Sequence, residues 1–326
     1  MLNNIVKNIS KEIIGNEFNI KIALATIISG GHILIEDLPG TGKTTFAKSL
    51  TNSLNLNFKR IQFTSDLLPS DILGYTYIKK DEFKINKGPI FTNIVLADEL
   101  NRASPKTQSA FLEAMEEKTV TIDKETFKLP EPFCVIATQN PSDLSGTSLL
   151  PESQLDRFSI SFSLDSLNKD ERLEMLTKEE TLNINDRSNL EFDKIKRINE
   201  IHISKKVVEY LDSISEHLKT NFNGIHISPR SLKQTLNLAK SISLINGKDY
   251  VTFQEIKEIL PYILRHRINI VEKNEIFGSY QLGKLIKNVG GNDFLPRKIN
   301  LIQKLRDFFN GKKYKKNKNK INRKNL

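Results

Sequence analysis

The stretch His32-Ile33-Leu34-Ile35-Glu36-Asp37-Leu38-Pro39-Gly40-Thr41-Gly42-Lys43-Thr44-Thr45 decides the fold. Its first four residues make a short β-branched strand, a Pro/Gly turn follows, and Thr44–Leu54 carries helical patterning. Strand, glycine loop and helix in that order aim a helix N-terminus and a row of backbone N–H groups at an anion. A triphosphate needs those donors, a cation for its β/γ-phosphates and a hydroxyl for Mg²⁺. Gly40 and Gly42 let the backbone wrap the phosphates, Lys43 is the cation and Thr44 the Mg²⁺ ligand, with Pro39, Thr41 and Thr45 completing the loop. The strict pattern, G-x-x-x-x-G-K followed by Ser or Thr, wants glycine at position 37, where the chain carries Asp37. A glycine-rich turn that binds nothing is the competing reading. The strand before it, the helix after it and the Gly-Lys-Thr core count against that alternative.

Further along, Asn93-Ile94-Val95-Leu96-Ala97 is an apolar run without polar alternation, as a strand covered on both faces should be. It delivers Asp98-Glu99 at its carboxyl end, where α/β sheets place their ligands. Asp98 suits Mg²⁺, held through water, while Glu99 suits orienting and deprotonating an attacking water. A solvated pair of turn acids is the bland alternative, weakened by the loop upstream. A third buried strand, Phe133–Ala137, ends at Thr138-Gln139-Asn140 and brings an amide to the same sheet edge. Asn140 before Pro141 would otherwise be a plain turn signal.

Around these segments the pattern alternates strands and helices. Residues 1–29 are helical, Phe58–Phe63 is a strand, and Pro105–Glu117 is a helix. Hairpins are expected about Lys79–Glu82 and about Asp123–Glu125. The alternation predicts an α/β, doubly wound, mostly parallel sheet. After about residue 166 the strand signal stops, and Lys169–Glu180, Lys205–Leu218, Pro229–Ile245 and Phe253–Ile263 read as helices of a smaller all-α domain. Thr252 and Glu255 form a capping box for the last of them. The expected division is 1–165 for the nucleotide-binding domain, 166–275 for the helical lid, 276–310 for an extension with a candidate helix at Ile299–Phe309, and 311–326 for a basic disordered tail.

The formal charge of +10 is concentrated in that tail, which holds eight Lys/Arg and no Asp/Glu, so the rest of the chain is near balance at +2. A nucleic-acid partner is therefore not favoured by charge. The tail reads as a solubilising end or as an attachment to an anionic partner. Cys134 lies in an apolar run and reads as a buried structural thiol, and the five histidines lack metal-ligand spacing. No secretory or membrane-spanning pattern appears, which predicts a cytoplasmic protein.

At these residues the chain resembles the AAA+ ATPases and, within them, the MoxR family. The matching segments are Ile14-Gly15-Asn16-Glu17, His32–Thr45, Ile61–Asp71, Gly88–Met115, Val135–Pro141, Leu150–Phe158, Ser228-Pro229-Arg230 and Leu264–Ile268, in order over most of the chain. The resemblance implies an AAA+ core and lid, and ATP with Mg²⁺ as ligands. It also implies a nucleotide contact at Ile14 and Gly15, Asn140 as sensor 1, and Arg230 as sensor 2 reaching from the lid in cis. Arg157 is implied as an arginine finger acting in trans on a neighbour, with Arg102 as its rival; a surface arginine paired with Asp156 is the bland alternative for Arg157. A homo-oligomeric ring, usually hexameric, is implied. So are chaperone-like remodelling or maturation of a protein client beside a von Willebrand factor A domain partner, and hairpins facing the pore or the client. Two other functions compete with this one: an AAA+ nucleic-acid motor, and a nucleotide-regulated binding module without turnover.

Overall fold

The computed structural model describes residues 2–37, 40–140, 150–164, 169–177, 197–221 and 227–267. Pro39, the extension from 276 and the basic tail from 311 lie outside the described residues, as do Pro141 and the end of the helix expected to reach Glu180. The elements are α1 (Leu2–Glu12), α2 (Glu17–Ile28), β1 (Ile33–Glu36), α3 (Lys43–Ser53), β2 (Phe58–Gln62), α4 (Pro69–Leu73), β3 (Gly74–Lys79), β4 (Glu82–Lys87), β5 (Ile94–Asp98) and α5 (Pro105–Glu117). They continue with β6 (Thr119–Ile122), β7 (Glu125–Lys128), β8 (Cys134–Gln139), α6 (Glu152–Leu155), β9 (Ile160–Phe162), α7 (Lys169–Thr177), α8 (Lys205–Asn221), α9 (Pro229–Ile245) and α10 (Phe253–Leu264).

Five strands form a sheet in the order β2-β5-β8-β1-β9, every pair parallel. The fully buried runs of β5 and β8 sit at or beside its centre, as apolar strands without alternation require. One face is closed by α5, whose Phe111, Leu112 and Met115 join Leu34, Val95, Ala97, Val135 and Ala137 in a core cluster. On the other face Phe162 of β9 meets Phe46 of α3 and Tyr262 of α10 at ring-centroid distances of 5.7 and 6.3 Å. Each fully buried aromatic or aliphatic side chain contributes about 1.5–3 kcal/mol relative to exposure. Helices on both faces make the sheet doubly wound, as expected. The strand β9 escapes a sequence reading because it is three residues long, alternates with Ser161, and gains its pairing only across the sheet.

Of the described residues, those up to 208 and 227–267 belong to one compact unit and 209–221 to another. Within the first, α5, α9 and α10 begin at side-chain caps. Ser104 Oγ accepts from Thr107 N at 3.3 Å and Ser228 Oγ from Ser231 N at 3.1 Å, each with proline at the next position. The capping box of α10 is formed, Glu255 Oε2 accepting from Thr252 N at 2.9 Å. Both expected hairpins are present as separate two-stranded antiparallel sheets, β3–β4 and β6–β7.

His32 and Cys134 are packing residues. His32 Nε2 donates to the Met115 carbonyl at 3.1 Å, its Nδ1 accepts from Val135 N at 3.0 Å, and burial pushes its pKa down to about 3. Burial likewise pushes the Cys134 thiol up to about 12, which leaves it unreactive.

Candidate functional site

The loop after β1 turns into α3 through Gly40 and Gly42, with φ of +82° and +85°, the left-handed region that a side chain would strain. A Cβ at either glycine would meet nothing within 4 Å, so the backbone there faces open space. Gly42 caps α3, and Lys43 begins it with Nζ 3.4 Å from the Asp37 carbonyl. Asp37 stands where the strict motif has glycine, and its carboxylate makes a contact that glycine could not. Its Oδ2 accepts from Leu164 N at 3.2 Å and ties the loop to the end of β9.

Parallel register brings the other predicted residues to the same edge. Gln62, Asp98, Thr138 and Asn140 lie at or just past the carboxyl ends of β2, β5 and β8. With Asp37, Gly40–Thr44, Arg60, Glu99 and Gln139 they line a cavity of about 290 Å³, at the lower bound of ligand pockets, roughly 300–1,000 Å³.

The two acids are held differently. Asp98, buried, accepts Thr138 Oγ1 on Oδ1 at 2.6 Å and Arg60 Nη2 on Oδ2 at 2.6 Å. Glu99 takes left-handed backbone angles, φ 57° and ψ 45°, stabilised by its N–H donating to Thr138 Oγ1 at 2.9 Å. A non-glycine residue held there is strained, and such strain gathers at functional positions. The Glu99 carboxylate accepts from Gln62 Nε2 at 2.9 Å, and Arg102 Nε lies 3.2 Å from the same oxygen.

The hard oxygen donors Thr44 and Asp98, both lining the cavity, fit Mg²⁺, which binds through one or two carboxylates plus substrate phosphates. Among the described residues no cluster of three or more His, Cys, Asp or Glu is placed to hold a metal ion. The loop, its lysine and the open glycine backbone fit a polyphosphate.

Other predicted residues lie elsewhere. Thr45 is in the first turn of α3, and Ile14 and Gly15 form the turn between α1 and α2; none of the three lines the cavity. Arg157 and Arg230 do not line it either. Both reach Glu116 at the end of α5, Arg157 Nε at 2.9 Å from Oε2 and Arg230 Nη1 on Oε1. Arg230, expected to reach the phosphates of its own chain, is carried by α9 to Glu116, beside Arg157.

Asp156 is not the partner of Arg157. It accepts Ser231 Oγ at 2.6 Å, Ser228 Oγ at 2.7 Å and Arg267 Nε at 2.9 Å, fixing the turn that carries Arg157 to α9 and to the end of α10. Burial pushes the Asp156 carboxyl up, but the serine hydrogen bonds and the Arg267 charge outweigh it and hold the group below its ordinary value. Sequence reasoning missed Arg60, Gln62, Thr138 and Glu116. Only Gln62 and Thr138 carried a signal, as polar residues at strand ends.

The chain is similar to known proteins. Residues 32–160 match the ATPase family associated with various cellular activities (AAA), and residues 222–278 match the AAA lid domain. The uncharacterized protein YeaC of Bacillus subtilis is 38% identical over 277 residues, 82% of this chain and 87% of the relative. Chaperone MoxR1 of Mycobacterium tuberculosis is 34% identical over 276 residues, 80% of this chain and 73% of the relative. The crystal structure of a Cytophaga hutchinsonii protein assigned as an ATPase superposes with a TM-score of 0.75 at 36% identity, covering 87% of this chain and 93% of that one. The two family models, and identity at this level over most of both chains, leave one assignment: the chain belongs to the MoxR family of AAA+ ATPases.

Proposed function

We propose that the chain hydrolyses ATP with Mg²⁺ in a homo-oligomeric ring, a hexamer by family pattern, and turns that cycle into remodelling of a protein client. The observation that carries this reading is the separation of the charged residues. Lys43, Thr44, Asp98, Glu99 and Asn140 line one cavity, whereas Arg157 and Arg230 meet on Glu116 outside it. Two guanidiniums on one carboxylate leave a unit of positive charge uncompensated within the trio, which suits a face that meets the anionic site of a neighbour.

In this mechanism the loop N–H groups of Gly40–Thr44 and the Lys43 ammonium hold the phosphates. Thr44 and Asp98 would hold Mg²⁺, which when bound neutralises charge developing on the β- and γ-oxygens. Glu99 orients and deprotonates the attacking water, with Gln62 and Arg102 fixing its carboxylate. Asn140 donates to the γ-phosphate or the water. Arg157 completes the neighbour's site, and Arg230, beside it on Glu116, serves the same interface rather than its own chain's phosphates. Arg102, bound to Glu99 of its own chain, is the weaker finger.

The remodelling role is supported by the name of the relative MoxR1, a chaperone. Tyr75, Tyr77, Ile78 and Phe83 of the β3–β4 hairpin are exposed apolar groups suited to a client. We further infer a nucleotide-binding domain to about residue 165 and a lid to about 275, a cytoplasmic location, a partner with a von Willebrand factor A domain, and a basic tail available to an anionic partner. Among the described residues no helix is long and apolar enough to cross a membrane.

Steady-state ATPase activity measured against protein concentration tests the ring. Turnover per chain should rise with concentration and plateau; a specific activity independent of concentration, in a chain that sediments as a monomer, contradicts it.

A further inference from the structure

Asp98 has a cationic partner on the edge strand beside it. Arg60 of β2 donates from Nε at 3.1 Å and from Nη2 at 2.6 Å to one carboxylate oxygen, Oδ2. The other oxygen, Oδ1, is taken by Thr138. Arg60 Nη2 also donates to Gln62 Oε1 at 2.7 Å, which aims the guanidinium along the cavity wall. The two partners differ in freedom: the Asp98 side chain is 12% exposed and the Arg60 side chain 48%. The carboxylate is fixed by the sheet and by Thr138. The guanidinium stands half-exposed on a long stem at the sheet edge, so turning outward returns it to water. A buried carboxylate left without any partner is costly.

We propose that Arg60 is a displaceable counter-cation of the metal site: it neutralises Asp98 through Oδ2, and a divalent cation, or a water of its shell, must take that oxygen from it. The proposal rests on the reading of Asp98 as the Mg²⁺ carboxylate. Two cations repel across a shared oxygen, so metal entry and Arg60 departure are linked. Arg60 thereby sets the metal concentration at which the site fills. It acts through Asp98 and is a positioning residue.

The test uses the full-length chain carrying Glu99→Gln, which keeps hydrolysis out of the measurement. A fluorescent ATP analogue is held at fixed concentration while MgCl₂ is titrated. Adding Arg60→Met, which keeps the stem and removes the charge, should lower the half-saturating Mg²⁺ by about three- to tenfold. Affinity for the analogue in EDTA should not change. Half-saturation that is unchanged or raised overturns the proposal; so does a loss of analogue affinity in EDTA, which would make Arg60 a phosphate ligand.

Asp98→Asn separates the two ways of failing. If it leaves the Mg²⁺ titration unchanged, the reading of Asp98 has failed and the proposal falls with it. If it raises half-saturation many-fold while Arg60→Met does not lower it, only the Arg60 proposal has failed. Melting curves give a readout independent of the fluorophore: Mg²⁺ with the analogue should raise the midpoint more in Arg60→Met than in the parent, and equal increments count against displacement. Should Arg60→Met not fold, Arg60→Lys, which keeps a charge without the two-pronged contact, should lower half-saturation by a smaller factor, and no change in it overturns the proposal.

Discussion

The cluster at the carboxyl ends of β5 and β8 and the cluster around Glu116 both gather charged side chains, and they differ in what they leave open. Around Asp98 and Glu99 the groups surround a cavity of about 290 Å³, each acid held by neighbours from β2 and β8. Around Glu116 two arginines close onto one carboxylate, and the turn carrying Arg157 is tied through Asp156 to α9 and α10. The first cluster holds the proposed phosphate and metal ligands but contains neither the predicted sensor 2 nor the predicted finger. The second supplies those cations and has no phosphate loop. On the proposed function, the difference means that one chain carries two halves of a site rather than one whole.

The comparison is broken most sharply at Arg157. If the halves work only together, Arg157→Ala should lower kcat by about 10³–10⁵-fold while nucleotide affinity, measured by equilibrium binding, stays near that of the parent. A loss in affinity instead would put Arg157 in the first cluster. Glu99→Gln removes the base from the cavity and should lower kcat by about 10²–10⁴-fold with ATP still bound. Undiminished turnover in that variant would remove Glu99 from the role given to it.

A smaller effect belongs to the anchor of the second cluster. Asp156→Asn should lower the melting midpoint by about 2–4 °C at neutral pH, the shift that about 1 kcal/mol produces in a domain of this size, since a partly exposed group is screened by solvent. The Asp156 carboxyl lies below its ordinary value in the folded chain. Its contribution is therefore present above the unfolded pKa of about 3.9 and fades as pH falls through the lower folded value. Melting of parent and variant from pH 7 downward should converge below that point; a gap that persists at acid pH would show that the asparagine acts through packing.

How far these clusters were legible follows from the distance of their parts in sequence. The phosphate loop and the Asp98-Glu99 pair are local: strand, turn and chemistry sit within a few residues, so pattern and spacing suffice. Asp37 broke the strict motif, and the structure gives that residue a contact with Leu164 N that no local pattern announces. Arg60 looked like one more charged residue on a strand because its partner lies 38 residues away. In sequence Glu116 is one acid at a helix end, and only the packing of α5, α9 and the turn after α6 joins it to residues 157 and 230. The short strand β9 was hidden for the same reason, its hydrogen bonds being wholly with a distant strand. The bland pairing of Arg157 with Asp156 failed because neighbours in sequence on a tight turn need not face each other, and Arg267 was better placed.

The division of the site between chains is tested most directly by mixing two dead variants. Glu99→Gln lacks the base but keeps Arg157, and Arg157→Ala keeps the base but lacks the finger. If each site joins the cavity of one chain to the arginines of the next, some interfaces in a mixed ring pair an intact Glu99 with an intact Arg157, and ATPase activity well above either parent should return. A mixture as inactive as its parents, under conditions where exchange of subunits is demonstrated, would contradict a site shared between chains.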